Sequence, residues 1–292
     1  MADTTSAPLI NIGRGIALIL FANLLFAFVD TSTKWLLGAG LVVTQLAFMR
    51  YAVHFAITAT ERGIRGARLE PLPTHTRNLV LLRSFCLVSA TLANFLAIGN
   101  LPLAVTAALL YLSPIFIFAF AALLLGERIT RHNYVAVLLG FAGALLILQP
   151  FGQPINWYAV LMLYPAAAMA LYQVLSRRLA GEVRTSILQF YTGALGTAAL
   201  APFALFTWTM PETAQTWTLL IGIGAFAWFG HEALTRAHAH AEASTLAPFG
   251  YSFVIFLSAL GWLIFGEAPA PNVAAGAALI LVAGLYTWRT SR

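Results

Sequence analysis

Four stretches of this chain carry polar side chains at helical spacing inside otherwise apolar sequence. In the first, Asn23, Asp30, Thr31 and Lys34 fall at i, i+7, i+8 and i+11, which places them on one helical face. In the second, Arg50, His54, Thr58 and Glu61 recur about every fourth residue. The third carries Arg83 and then Ser84, Thr91 and Asn94, and the fourth carries Trp228, His231, Glu232 and Thr235 at i, i+3, i+4 and i+7. These residue types support ion pairing, hydrogen bonding to a polar solute and proton transfer. An ionisable group in an apolar span is costly, so each one needs a partner or a task. Asp30 has a local candidate in Lys34 at i+4 and a second in Arg50, at similar depth on the next span. We expect an Asp30–Arg50 contact, structural or gating, and an Arg83–Glu232 pair as a gate on the opposite side. His231 reads either as a hydrogen-bonded packing residue or as a proton-coupling group, since an unperturbed imidazole titrates near neutral pH. Asp30, Glu232, His231 and His54 are the intramembrane sites at which protons would couple.

Aromatic and hydroxyl groups complete the candidate set. Tyr111 and Tyr251 lie about two turns inside their spans, with Ser113 and Ser252 nearby, and Tyr164 and Tyr172 stand at i, i+8. Interfacial belts are the common home of such tyrosines, and the alternative is the wall of a cavity. The expected cavity is lined by Asn23, Ser84, Thr91, Asn94, Tyr111, Tyr164, Trp228, His231 and Tyr251, with Asp30, Arg50, Arg83 and Glu232 as gating or paired ions. Such a wall suits a zwitterionic or neutral solute, with aromatic faces for its apolar part and amides and hydroxyls for its charged ends. No catalytic residues are assigned, because the chain has no Walker A phosphate loop, no nucleophile elbow and no metal-ligand pair at i, i+4. No cofactor is expected. The one cysteine, Cys86, lies inside a span and offers neither a disulfide framework nor a metal site.

The elements that carry these stripes are membrane helices. Hydrophobic residues make up 60% of the 292 and charged residues 9%, against about 25% charged in a soluble domain. Ten stretches approach the roughly 20 apolar residues a span needs: 13–34, 42–61, 78–98, 102–125, 132–149, 156–176, 186–207, 217–235, 243–265 and 271–288. The predicted fold class is therefore an all-α polytopic membrane protein. Prolines mark several breaks: Pro71 and Pro73, Pro102, Pro150 and Pro154, Pro269 and Pro271. With both termini in the cytoplasm, the loops on that side hold Arg14, Arg62, Arg65, Arg68, Arg77, Arg128, Arg131, Arg177, Arg178, Arg184, Arg236, Arg289 and Arg292, and the other side holds only Lys34. That bias sets the orientation and supports the count of ten. The net charge of +6 is thus a topology signal. It forms no basic face, so nucleic acid is not an expected partner.

The chain also repeats itself. Residues 103–129 and 243–269 share a small-residue start, a tyrosine (Tyr111, Tyr251), a long apolar run and a Gly-Glu end (Gly126-Glu127, Gly266-Glu267). With five spans in each half, the second half enters the bilayer upside down. The predicted units are 1–149 and 150–292, two inverted five-helix repeats. Helices five and ten carry Gly140, Gly143, Gly276 and Gly284 and no strong polar stripe, so packing is their expected role, with a dimer contact open.

The ten spans, Pro114 with Gly126-Glu127, the Ala-Pro-Phe-Gly-Tyr segment 247–251 leading to Gly266-Glu267, and Phe26-Ala27-Phe28-Val29-Asp30 with Lys34 together resemble the EamA branch of the drug/metabolite transporter superfamily. The resemblance covers almost the whole chain. It implies secondary transport of a small metabolite by alternating access across a bacterial inner membrane, through a cavity lined mainly by helices 1, 3, 4, 6, 8 and 9. The leading expectation within that family is an amino-acid exporter of broad selectivity. The alternatives are a carrier of a larger metabolite such as S-adenosylmethionine or riboflavin, a multidrug exporter, and, from another class, a non-transporting membrane sensor. The expected partners are the small-molecule substrate and the lipid bilayer, with the protein a monomer or weak homodimer.

Overall fold

The computed structural model describes residues 12–64, 72–126, 131–148, 156–179, 182–240, 249–250 and 252–290. Among these residues every regular element is a helix. In chain order they are α1 (Ile12–Gly38), α2 (Val43–Ile64), α3 (Thr74–Ile98), α4 (Leu103–Leu110), α5 (Ser113–Leu125), α6 (Arg131–Leu148), α7 (Trp157–Leu161), α8 (Leu163–Leu179), α9 (Thr185–Phe206), α10 (Ala214–His240), α11 (Ser252–Phe265) and α12 (Pro271–Thr290).

There are more helices than predicted spans because spans four and six are each broken. Pro114 has no amide hydrogen for the Leu110 carbonyl four residues back. The Ser113 hydroxyl donates to that carbonyl instead, and the helix restarts as α5. Pro165 likewise leaves the Leu161 carbonyl without its helical donor, and α7 ends there.

Among the described residues, five segments are long and apolar enough to cross a bilayer: Ile12–Gly38, Thr74–Ile98, Leu103–Leu124, Trp157–Leu179 and Thr185–Phe206. Shorter apolar helices lie at Val137–Ile147, Ser252–Phe265 and Pro271–Ala283. The remaining long helices, α2 and α10, hold Arg50, His54, Glu61 and Arg62, and His231, Glu232 and Arg236, which lower their hydropathy. Both are packed against other helices, and Arg50, His54, Arg62 and His231 are turned inward, whereas Glu232 and Arg236 are exposed. Large apolar side chains such as Phe206, Leu123 and Leu263 are exposed, as befits a surface that meets lipid tails.

Helix pairing follows a simple rule. Counting α4–α5 as span four and α7–α8 as span six, the main contacts are 1 with 8, 3 with 6, 2 with 7, 5 with 10, 1 with 9, 4 with 6, 2 with 8 and 3 with 7. Moving every span five places along the chain maps this set onto itself. Local details obey the same shift. The glycines of both Gly-Glu phrases take the left-handed conformation, Gly126 at φ 68° and Gly266 at φ 70°, where a side chain would be strained.

Small residues set the closest approaches. A Cβ on Gly143 would lie 2.7 Å from the Gly276 carbonyl, and one on Gly276 would lie 2.6 Å from that of Gly143, so α6 and α12 meet backbone to backbone. This is the packing role expected of those glycines. Around α2, Gly196 on α9 receives the ring of Tyr51, and Gly224 on α10 receives Val53 and the backbone of Met49 and Arg50. Two glycines on two helices thus fix the depth of α2, and with it the position of Arg50.

Candidate functional site

The polar stripes read in the sequence turn inward. Asn23, Asp30 and Thr31 on α1, Arg50, His54 and Thr58 on α2, Arg83, Ser84 and Thr91 on α3 and His231 on α10 are all buried. The pairing among them differs from the expected pattern in three respects.

First, Asp30 and Arg50 do not form an ion pair. Among the described residues, Asp30 accepts hydrogen bonds from the Asn94 amide, at 3.3 and 3.4 Å to its two oxygens. Arg50 donates to the Tyr51 hydroxyl at 2.9 Å and to the Thr91 hydroxyl, and its guanidinium lies 5.1 Å from the Tyr51 ring centre. Tyr51 is held in turn by the Leu87 carbonyl (3.0 Å) and by Thr91 (2.7 Å). This hydroxyl platform, pressed on Gly196, takes Arg50 out of hydrogen-bonding reach of Asp30 while leaving it within electrostatic range.

Second, Arg83 does not meet Glu232. Its Nε donates to Ser176 (2.7 Å) and its two terminal nitrogens to Thr192 (3.1 Å) and Tyr172 (2.7 Å). Ser84 closes the cage by bonding Thr192 at 2.9 Å. Glu232 instead pairs with Arg236 one turn along α10, at 2.9 Å, with both side chains well exposed. The helical i, i+4 partner was close in sequence and needed no tertiary contact.

Third, Lys34 pairs with Glu267 rather than Asp30. Lys34 also donates to the Leu101 carbonyl (2.7 Å), and the other Glu267 oxygen accepts the Leu103 amide (3.0 Å), one of the unsatisfied donors at the start of α4. This ties α1, the α3–α4 turn and α11 together at one end of the bundle. Beside it, Gln45 on α2 bonds the amide and carbonyl of Thr209, at 3.1 and 2.8 Å. A depression of about 490 Å³, lined by Lys34, Trp35, Leu37, Gly99 and Phe265 among others, lies at this end.

Among the other expected cavity residues, Asn23 and Tyr111 converge. The Asn23 amide donates to the carbonyls of Phe249 and Gly250 (both 3.1 Å) and to the Ser252 hydroxyl (3.0 Å), while the Tyr111 hydroxyl donates to Gly250. They hold the backbone just before α11, in the span that matches broken span four. Tyr164 does not reach the interior. It is 45% exposed on α8 and bonds Ser89 at 2.7 Å, because its i+8 neighbour Tyr172 occupies the inner position on Arg83. Trp228 is half-buried and packs edge-on against Phe229. Tyr251 lies outside the described residues.

Among the described residues, six buried polar atoms have no hydrogen-bond partner: Thr31 Oγ1, Arg50 Nε, His54 Nε2, Asn94 Oδ1, Gln189 Oε1 and His231 Nε2. They come from α1, α2, α3, α9 and α10. The Arg50 charge acts on Asp30, His54 and His231, and Gln189 sits beside His54. The His54 and His231 rings are 6.2 Å apart, with Phe26 edge-on to His231 at 5.0 Å. Buried polar atoms are nearly always satisfied, so such a concentration calls for a polar partner, either water or a solute. His54, Tyr51 and Gln189 were not in the expected cavity set. His54 was visible as part of a stripe, whereas Tyr51 and Gln189 had no periodic signal. Among the described residues no group of three or more His, Cys, Asp or Glu side chains is placed to hold a metal ion.

This arrangement can bind a small polar molecule between helices that belong to both halves. Known proteins resemble this chain over nearly its whole length. The chain matches the EamA-like transporter family twice, over residues 13–149 and 156–288. It is 31% identical over 282 residues to the pseudopaline exporter of Pseudomonas aeruginosa, covering 95% of this chain and 97% of that one. It is 30% identical to a riboflavin transporter of Vibrio cholerae, covering 96% and 95%. It is 22% identical to an S-adenosylmethionine uptake transporter of Rickettsia prowazekii, covering 94% and 92%. A crystal structure sharing 20% identity superposes with a TM-score of 0.62 over 94% of both chains and shows the same fold. The apolar helices, the inward polar stripes and the doubled family match lead to one conclusion: the chain belongs to the EamA-like transporter family, a family of multi-pass membrane transporters.

Proposed function

We propose that this protein is a secondary transporter that moves an amino-acid-like metabolite by alternating access, with residues 1–149 and 150–292 as its two inverted units. The observation that carries this reading is the belt of unsatisfied buried polar atoms between helices of both units. A purely structural core would satisfy them. The Lys34–Glu267 tie supports a gate at that end, since it joins the first and second units through groups that can separate into water. Gating by Lys34 and Glu267 replaces the earlier expectation of an Arg83–Glu232 gate. The arginine-rich loops support an inner-membrane orientation with both termini cytoplasmic.

Amino acids suit a site with both charges and aromatic walls. A second reading is a larger metabolite, favoured by relatives that carry pseudopaline, riboflavin and S-adenosylmethionine. Export agrees with the first of these and uptake with the last. Purified protein in liposomes tests the reading with the twenty proteinogenic amino acids, S-adenosylmethionine and riboflavin, with and without an imposed proton gradient. We expect flux of at least one zwitterion. Flux that needs the gradient points to Asp30, Glu232, His231 or His54 as coupling groups, and flux without it to a facilitative carrier. Folded protein that binds solutes but moves none overturns transport in favour of a sensor.

A further inference from the structure

Asp30 and Arg50 are an acid and a base, both buried and on neighbouring helices, yet each is held by other side chains and no ion pair joins them. That state is costly. A buried carboxyl whose hydrogen bonds among the described residues are two long ones from an amide, and a guanidinium whose Nε has no partner among them, lose hydration without regaining it. If the pair served stability alone, closing it would be the cheaper arrangement. The fold prevents closure from both sides. Asn94 occupies Asp30, while Tyr51 and Thr91 hold Arg50, with Tyr51 seated on Gly196. Next to Arg50 stand His54, which interacts with Gln189, and His231, and next to Asp30 the Thr31 hydroxyl and Asn94 carbonyl oxygen; among the described residues the Nε2 of His231 and both oxygens have no hydrogen-bond partner. Apart from Gln189, whose amide oxygen sits beside His54, the unpaired groups divide into an acidic, acceptor-rich side on α1 and α3 and a basic side on α2 and α10.

Resting on the transporter reading above, we propose that this divided pair recognises a zwitterion. Asp30 takes the substrate's ammonium, with Asn94 and Thr31 as its further acceptors. Arg50 takes the carboxylate, with His54 and His231 beside it. A bound zwitterion supplies the missing counter-charge to both ions at once, and a guest with only one charge leaves the other stranded. The site therefore selects for molecules that carry both an ammonium and a carboxylate, whatever the rest of the molecule is. Amino acids and S-adenosylmethionine satisfy this rule and riboflavin does not.

The test is equilibrium binding to purified protein by titration calorimetry, independent of flux. The probes are the twenty proteinogenic amino acids, S-adenosylmethionine and riboflavin, followed by the tightest zwitterion's matched analogues lacking the amine or lacking the carboxylate. We expect each single-charge analogue to bind at least tenfold more weakly than the zwitterion. Asp30→Asn should abolish the preference over the amine-free analogue, and Arg50→Gln the preference over the carboxylate-free one. Each variant should leave the other preference standing. Asp30→Glu and Arg50→Lys, which keep the charges, should restore discrimination and separate recognition from folding. Equal affinity for single-charge analogues, unchanged ratios in folded variants, or binding of riboflavin with none of the zwitterions would each overturn the proposal. Riboflavin flux without zwitterion binding would overturn it and leave the transporter reading intact. Zwitterion binding with the expected ratios but no flux would uphold it while removing transport.

Discussion

Arg50 and Arg83 are both arginines buried in the middle of helices, 9% and 4% exposed, and the fold treats them in opposite ways. Arg83 donates from all three of its guanidinium nitrogens, each to a hydroxyl, and stacks 4.2 Å from the Tyr172 ring centre. Its partners lie on α8 and α9, so it fastens α3 to both. The described hydrogen bonds of Arg50 leave from one nitrogen, and its Nε has no partner. A satisfied buried cation is a structural rivet, and an unsatisfied one near an unpaired carboxylate is poised for a guest. The same residue type at similar burial thus has two roles, set by how many hydroxyls its neighbours supply.

Substitutions that act on one arginine and spare the other test this contrast. The largest stability effect should come from Arg83→Met, which removes the donors to Ser176, Thr192 and Tyr172 and the cation stacked on the Tyr172 ring. We expect a loss of about 3 kcal/mol, read as a lower melting temperature in detergent, against a clearly smaller loss for Arg50→Met. Equal losses would erase the distinction between rivet and binding group.

Gly196→Val should cost about 2 kcal/mol, because a Cβ there would sit 2.4 Å from the Tyr51 ring. Displacing Tyr51 loosens the platform under Arg50 while the Arg83 cage, on other residues, stays intact. Ligand affinity should therefore fall more than it does in an equally destabilised variant at the α6–α12 contact, such as Gly143→Ala. Calorimetry on both variants at matched stability makes that comparison.

Glu267→Gln weakens the tie to Lys34, whose side chains are 16% and 22% exposed. About 1 kcal/mol is at stake, a population shift of about fivefold toward an open Lys34 end. A single cysteine placed at Leu37 should then react faster with a bulky impermeant maleimide. Unchanged labelling would show that the tie does not gate. Tyr164→Phe should be the mildest change, within about 0.5 kcal/mol and with binding unaltered, since it removes one exposed hydrogen bond to Ser89. A marked loss of binding would return Tyr164 to the cavity.

The stripes on α1 and α2 were legible because burial of polar groups in a membrane helix follows its period, and Asn23, Asp30, Arg50 and His54 did turn inward. The packing glycines of α6 and α12 were legible for the same reason, as small residues in spans without polar stripes. The pairing was not legible. Depth in the bilayer suggested Asp30 with Arg50 and Arg83 with Glu232, but depth fixes only one coordinate. Azimuth decides whether two groups at one depth meet, and it depends on how helices pack. Azimuth separates Tyr164 from Tyr172 too: it lies i, i+8 away but is 45% exposed, while Tyr172 is buried on Arg83.

Composition, hydropathy and the spacing of apolar runs determined that this chain is an all-α multi-pass membrane protein, because a bilayer imposes span length and backbone satisfaction on each segment separately. The repeated Tyr and Gly-Glu phrases added its kinship. Which charges find partners was decided by tertiary structure alone. Gly196 and Gly224 let α2 sink between α9 and α10, Tyr51 and Thr91 capture Arg50, and Glu267 crosses 233 residues of chain to reach Lys34. A hydrogen bond forms or fails over about 0.5 Å, a precision that no one-dimensional pattern carries and that only the packing of the helices supplies.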